Sequence, residues 1–136
     1  MKLLSQVKQL GITSAIIGTD TAKDKTIVDA AGRNAEGMYS IFFSEPNDYV
    51  GYRTAFKQAN GHDPASLSDY SYDGLEALAK AMTEANSLDA TAVKNQLYRT
   101  THYGASGVVK FDSNGEVVDK PMTIYKVVNG NFESQG

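Results

Sequence analysis

The stretch Ser14-Ala15-Ile16-Ile17-Gly18-Thr19-Asp20-Thr21 constrains the fold most. Its short apolar run stops at Gly18, and residues that favour helix caps follow at once. Such a run reads as a buried strand, which leaves the polar residues at its carboxyl end. In open α/β sheets, ligands bind in the crevice outside those strand ends. Asp20, at the lip of that edge, is therefore the first candidate binding residue. A plainer role is open too: Thr19, Asp20 or Thr21 suits the cap of the next helix, because their side-chain oxygens accept from first-turn N–H groups. The two roles are compatible.

On either side of this stretch the hydrophobic period is helical. Leu3, Leu4, Val7 and Leu10 line one face of a helix that Gly11 stops. That helix has no N-cap and begins at Met1, so it reads as the tail of a longer element. A second helix is expected over 21–31, ended by Gly32. The run 37–43, apolar at nearly every position, reads as a strand of a parallel sheet covered on both faces. Pro46 closes it, since it has no N–H for a ladder.

Three helices follow, over about 48–60, 69–85 and 89–99. The stripes expected to face inward are Tyr49, Tyr52, Phe56 and Ala59 on the first and Tyr72, Leu75, Leu78, Ala79 and Met82 on the second. Val93 and Leu97 serve the third. The period then switches. Residues 108–111 and 122–128 are β-type runs, with Asn114-Gly115 and Asn129-Gly130 as turn signals. The whole reads as one partial domain over 1–136, an α/β fold with helices layered on a mostly parallel sheet and an antiparallel β end.

Composition removes several functions. Thirteen basic against sixteen acidic residues give a net charge of −3 with no basic run, which argues against a nucleic-acid partner. With no cysteine, disulfides, thiolate catalysis and Cys-ligated metal sites are excluded. No apolar window reaches the roughly 18 residues a transmembrane helix needs. The first residues do not form a signal peptide, so a targeting segment of an exported parent would lie outside this sequence.

No catalytic signature is present. Gly104-Ala105-Ser106-Gly107 lacks the spacing of a nucleophile elbow, and no phosphate-binding glycine pattern occurs. His62 and His102 lie far apart in loops and read as surface residues. Residues 112–116 lack the ligand alternation of a calcium loop. No catalytic residue, metal site or cofactor is assigned.

The order of motifs resembles the C-terminal portion of the type I periplasmic solute-binding proteins of ABC importers, of the Leu/Ile/Val-binding type. The matching residues are Leu10-Gly11, Ile17-Gly18-Thr19-Asp20, Ala35-Glu36-Gly37-Met38, Tyr70-Ser71-Tyr72-Asp73-Gly74-Leu75, and Gly107-Val108-Val109-Lys110-Phe111-Asp112 with Asn114-Gly115. They span nearly the whole chain in the family's order. Members run to more than twice this length, which agrees with the uncapped first helix.

The resemblance implies binding without chemistry: an amino acid or similar small polar solute is held between two lobes that close about a hinge, then passed to membrane permease subunits. It implies that Asp20 accepts hydrogen bonds from the solute's ammonium group, with Thr19 and Thr21 adding hydroxyl or backbone contacts. Tyr72 and Asp73 match a helix start that serves packing and capping. The N-terminal lobe, a further partner, is missing, so part of the cleft and its ligand affinity would be lost, and surfaces made to meet that lobe could drive homo-oligomer formation. The location implied is periplasmic, or extracellular and membrane-anchored. The alternative is a ligand-sensing domain of the same fold in a signalling or regulatory protein.

Overall fold

A computed structural model describes residues 2–136, which fold as two compact units. The first holds the chain up to Ser44 together with 121–136, the second 45–120.

In the first unit, helix α1 (Lys2–Gln9) leads to strand β1 (Ile17–Gly18), a 3-10 turn (Asp20–Ala22), helix α2 (Lys25–Ala31), a second 3-10 turn (Gly32–Ala35) and strand β2 (Tyr39–Phe43). Strands β5 (Met122–Val128) and β6 (Asn131–Ser134) complete it. The sheet is mixed, in the order β1-β2-β5-β6. β1 pairs with β2 in parallel, Gly18 opposite Ser40, whereas β2–β5 and β5–β6 are antiparallel. The α/β character and the antiparallel end read from the sequence are both present.

One face of this sheet carries the core. Leu4, Val28, Ala31, Ala35, Met38 and Val127 form a buried cluster, with Ile16 and Phe132 against it. The other face is open: Ile17 is 68% and Ile41 42% exposed, while Ser40, next to Ile41 on β2, is fully buried. The expectation of a buried first strand and a doubly covered second one is corrected on that point. β1 is two residues long at the edge of the sheet, so its apolar run is only half used.

The second unit contains α3 (Tyr52–Asn60), α4 (Ser68–Ala85), α5 (Ala90–Leu97) and a hairpin of β3 (His102–Gly104) and β4 (Gly107–Val109). Asp48 begins the first helical segment without belonging to the helix. Its carboxylate accepts from the N–H groups of Val50, Tyr52 and Arg53 at 3.3, 3.0 and 3.0 Å, capping α3 from outside. Asp89 caps α5 in the usual way, accepting from Ala92 N–H at 2.9 Å.

The inward stripe of α4 differs from the expected one. Leu75 is 67% and Tyr72 39% exposed, and the buried positions are Asp69, Asp73, Ala77 and Ala81. These recur every fourth residue, a face of small and acidic side chains that periodicity of large apolar residues does not reveal.

Candidate functional site

The chain leaves β1 at Gly18 and turns immediately. Ala22 N–H donates to the Thr19 carbonyl at 3.0 Å, and Lys23 N–H to that of Asp20 at 3.1 Å. The turn lies so close to the strand that a Cβ at Gly18 would overlap the Ala22 methyl, so only glycine fits. From β2, the fully buried Ser40 donates its hydroxyl to the Thr19 carbonyl at 2.8 Å. The peptide ahead of Asp20 is thus tied both to its own turn and to the neighbouring strand.

Thr19, Asp20 and Thr21 all lie exposed on this turn, and the two threonine hydroxyls are 3.3 Å apart. The Asp20 carboxylate makes no hydrogen bond or ion pair among the described residues. Nor do these residues cap a helix through their side chains. Thr19 precedes the 3-10 turn without a side-chain cap bond. Helix α2 is capped by Asp24, whose carboxylate accepts from the hydroxyl and N–H of Thr26 at 2.6 and 2.8 Å. Those two bonds, the hydroxyl one foremost, hold the Asp24 carboxyl below its ordinary range.

Beside the turn, the Lys23 ammonium lies 4.1 Å from the Tyr125 ring centroid and 4.8 Å from that of Phe42. Tyr125 donates its hydroxyl to the Phe43 carbonyl at 3.0 Å, fixing the ring beneath the lysine.

A second polar cluster is buried inside the 45–120 unit. Asp73, fully buried on α4, accepts from Ala105 N–H at 2.8 Å, Ser106 N–H at 2.7 Å and the Ser106 hydroxyl at 2.6 Å. The carboxylate occupies the two-residue turn between β3 and β4. A Cβ at Gly104 would fall 2.6 Å from its Oδ2 and closer still to Oδ1. Lys120 donates to the carbonyl of Ser106 and, at 3.0 Å, to its hydroxyl, so Ser106 links the ammonium to the carboxylate. Burial pushes the Lys120 ammonium below the ordinary lysine range, against the pull of Asp73 and Asp69.

His102 belongs to this cluster, correcting its reading as a surface residue. Its side chain is 15% exposed, and Nε2 sits 3.6 Å from Asp73 Oδ1 with no hydrogen bond. His62 is exposed, as read from the sequence, with Nδ1 2.9 Å from the Asp63 carbonyl oxygen. Asp73, read as a capping residue, instead ties α4 to a hairpin more than thirty positions away. The glycines flanking Ala105-Ser106 were the one available signal of that close approach.

No group of three or more His, Cys, Asp or Glu side chains among the described residues is arranged to hold a metal. No helix among them is long and apolar enough to cross a membrane.

The sheet is thus mixed, with the Asp20 carboxylate open just beyond its parallel pair. The family model described as periplasmic binding protein matches residues 1–131, and the chain belongs to that family. A leucine-binding protein, LivK, from Thermotoga maritima MSB8 superposes with a TM-score of 0.86 at 26% identity, over 98% of this chain and 40% of that one. The branched-chain amino-acid transporter substrate-binding protein LivJ of Streptococcus pneumoniae, solved with isoleucine, gives 0.78 at 23% identity, over 97% and 39%. A solute-binding protein of an ABC transporter from R. palustris, in complex with benzoate, gives 0.78 at 13% identity, over 99% and 39%.

The chain thus spans about two fifths of the length of these structures. No curated protein matches the sequence. The family is one of periplasmic binding proteins, and the LivJ and R. palustris neighbours are substrate- or solute-binding proteins of transporters.

Proposed function

We propose that this chain is the C-terminal portion of the extracytoplasmic solute-binding component of an ABC importer, and that the solute is an amino acid or a similar small polar molecule. The observation that carries the reading is the Asp20 carboxylate, presented at the carboxyl end of β1 on a tethered turn and spent on no internal bond. A carboxylate so placed, once desolvated by closure over a ligand, makes a strong charge-assisted bond to an ammonium group. Thr19 and Thr21 supply hydroxyls beside it. The leucine-binding and isoleucine-bound neighbours support an α-amino acid as the solute, and the benzoate complex shows that the fold also accommodates other small molecules.

In this reading the remaining contacts, and the permease subunits that receive the solute, belong to the full-length protein. The 1–136 segment binds solute weakly on its own. The test is a thermal-shift screen of the segment and of the full-length gene product against the standard amino acids and benzoate, because a ligand that binds only the folded form raises the melting temperature. A shift in the full-length protein that is absent from the segment supports the reading. A clear shift in the segment alone contradicts it.

A further inference from the structure

The chain carries three Asn–Gly pairs, Asn60-Gly61, Asn114-Gly115 and Asn129-Gly130, and the structure holds them very differently. In such a pair, the glycine's backbone nitrogen can attack the asparagine Cγ. The N–Cγ bond forms as the Cγ–Nδ2 bond breaks, the backbone N–H proton leaves with the amide as ammonia, and water then opens the cyclic imide to aspartyl or isoaspartyl. Glycine permits this because it has no Cβ to hinder the approach. Two features therefore decide the rate: freedom of the asparagine amide, and freedom of the glycine N–H.

Asn60 has neither. It ends α3, its amide donates to the Phe56 carbonyl at 2.9 Å, and Gly61 N–H donates to that of Lys57 at 2.8 Å. Asn129 and Gly130 form the two-residue turn between β5 and β6, both at positive φ and locked on each side by the ladder Val128–Asn131 and Val127–Phe132. Both of their N–H groups also point at the Glu36 carboxylate, at 3.1 and 3.4 Å.

Asn114 differs. It is exposed, its side-chain amide makes no hydrogen bond among the described residues, and it stands on a turn outside any regular strand. Gly115 N–H is held by one turn bond, to the Asp112 carbonyl at 3.1 Å. The loop is closed by the isolated bridge Phe111–Val117, by Asp112 N–H to the Glu116 carbonyl and Val118 N–H to that of Lys110 at 2.9 and 3.0 Å, and by the Asp112 carboxylate, which accepts from the N–H groups of Asn114 and Glu116, but it belongs to no strand ladder. Opening it disturbs no ladder, whereas freeing Asn129 unzips the sheet.

We propose that Asn114 is a site of spontaneous deamidation, the first of the three pairs to convert in the folded protein. The product adds a negative charge to a tip that already holds Asp112 and Glu116. In its isoaspartyl form it also lengthens the backbone across the Gly115–Asp112 bond.

The test is incubation of the protein in mildly alkaline buffer with and without urea, followed by peptide mapping for the mass gain of an amide-to-acid conversion. In urea the three pairs should convert at comparable rates. In the folded protein the peptide carrying residue 114 should convert several-fold ahead of those carrying 60 and 129, and Asn114→Gln should remove that early product. Conversion of residue 129 or 60 first, or an intact residue 114 in folded protein while the urea sample converts, overturns the proposal.

Discussion

The buried hydroxyl of Ser40 on β2 donates to the carbonyl of Thr19 at 2.8 Å, across the parallel strand pair of the sheet. That bond fixes the peptide immediately before Asp20, so the position of the open carboxylate depends on a side chain in another strand. Ser40→Ala removes the donor while Ala22 N–H still serves the carbonyl. The expected loss, read from chemical denaturation, is about 0.5–1.5 kcal/mol.

Asp20 and Asp24 separate capping from binding. Asp24→Ala removes the cap of α2 and should cost about 0.5–2 kcal/mol of stability. Asp20→Asn removes no internal bond and should stay within about 0.5 kcal/mol of the parent in the same denaturation experiment. A large loss in the Asp20 variant would return that residue to a structural role.

Gly104 and Asp73 form a pair in which neither can change alone. Gly104→Ala drives a methyl into a carboxylate that is fully buried and engaged by three donors. The overlap falls on a fixed group rather than a flexible chain end, and the expected loss of stability is about 3 kcal/mol or more. Asp73→Ala leaves the Ala105 and Ser106 N–H groups without their acceptor and should cost about 3–5 kcal/mol. Thermal or denaturant unfolding of the two variants checks both.

Two groups give the stability a pH dependence of opposite origin. Lys120 has its folded pKa below the ordinary 10.5, so between those two values the unfolded chain binds more protons. Stability relative to Lys120→Met should therefore rise with pH through that alkaline window. For Asp48, burial raises the carboxyl, but the N–H groups of Arg53, Tyr52, Val50 and Gly51 together hold it below its ordinary value of 3.8. Its contribution is complete above that value and is lost as pH falls through the depressed one. Asp48→Asn should thus be most destabilising at neutral pH and converge with the parent in acid.

What the sequence showed depended on the length of each signal. β2, β5 and the Asn129-Gly130 turn combine β-rich runs with strong turn residues, and all were visible. Gly11 and Gly32 stop the helices they were expected to stop. Residues 19–21 place the cap of α2 too early, because the 3-10 turn inserts before Asp24 and repeats the same residue types.

The Asp73 cluster left only the flanking glycines of its hairpin turn as a trace in the sequence. Its members come from α4, the β3–β4 hairpin and Lys120, and a buried carboxylate within an alanine-lined helix face looks like a solvated one in sequence. Equally hidden was the division into two units, since it rests on β5 returning to pair with β2 after the whole 45–120 segment.

The proposed role of Asp20 is to bind the solute's ammonium group. It is tested most directly by calorimetric titration of the full-length protein and its Asp20→Asn variant with the amino acid that the thermal-shift screen selects. The variant should fold as stably as the parent and lose about 2–5 kcal/mol of binding free energy. An Asp20→Asn protein that binds that amino acid as tightly as the parent would contradict it.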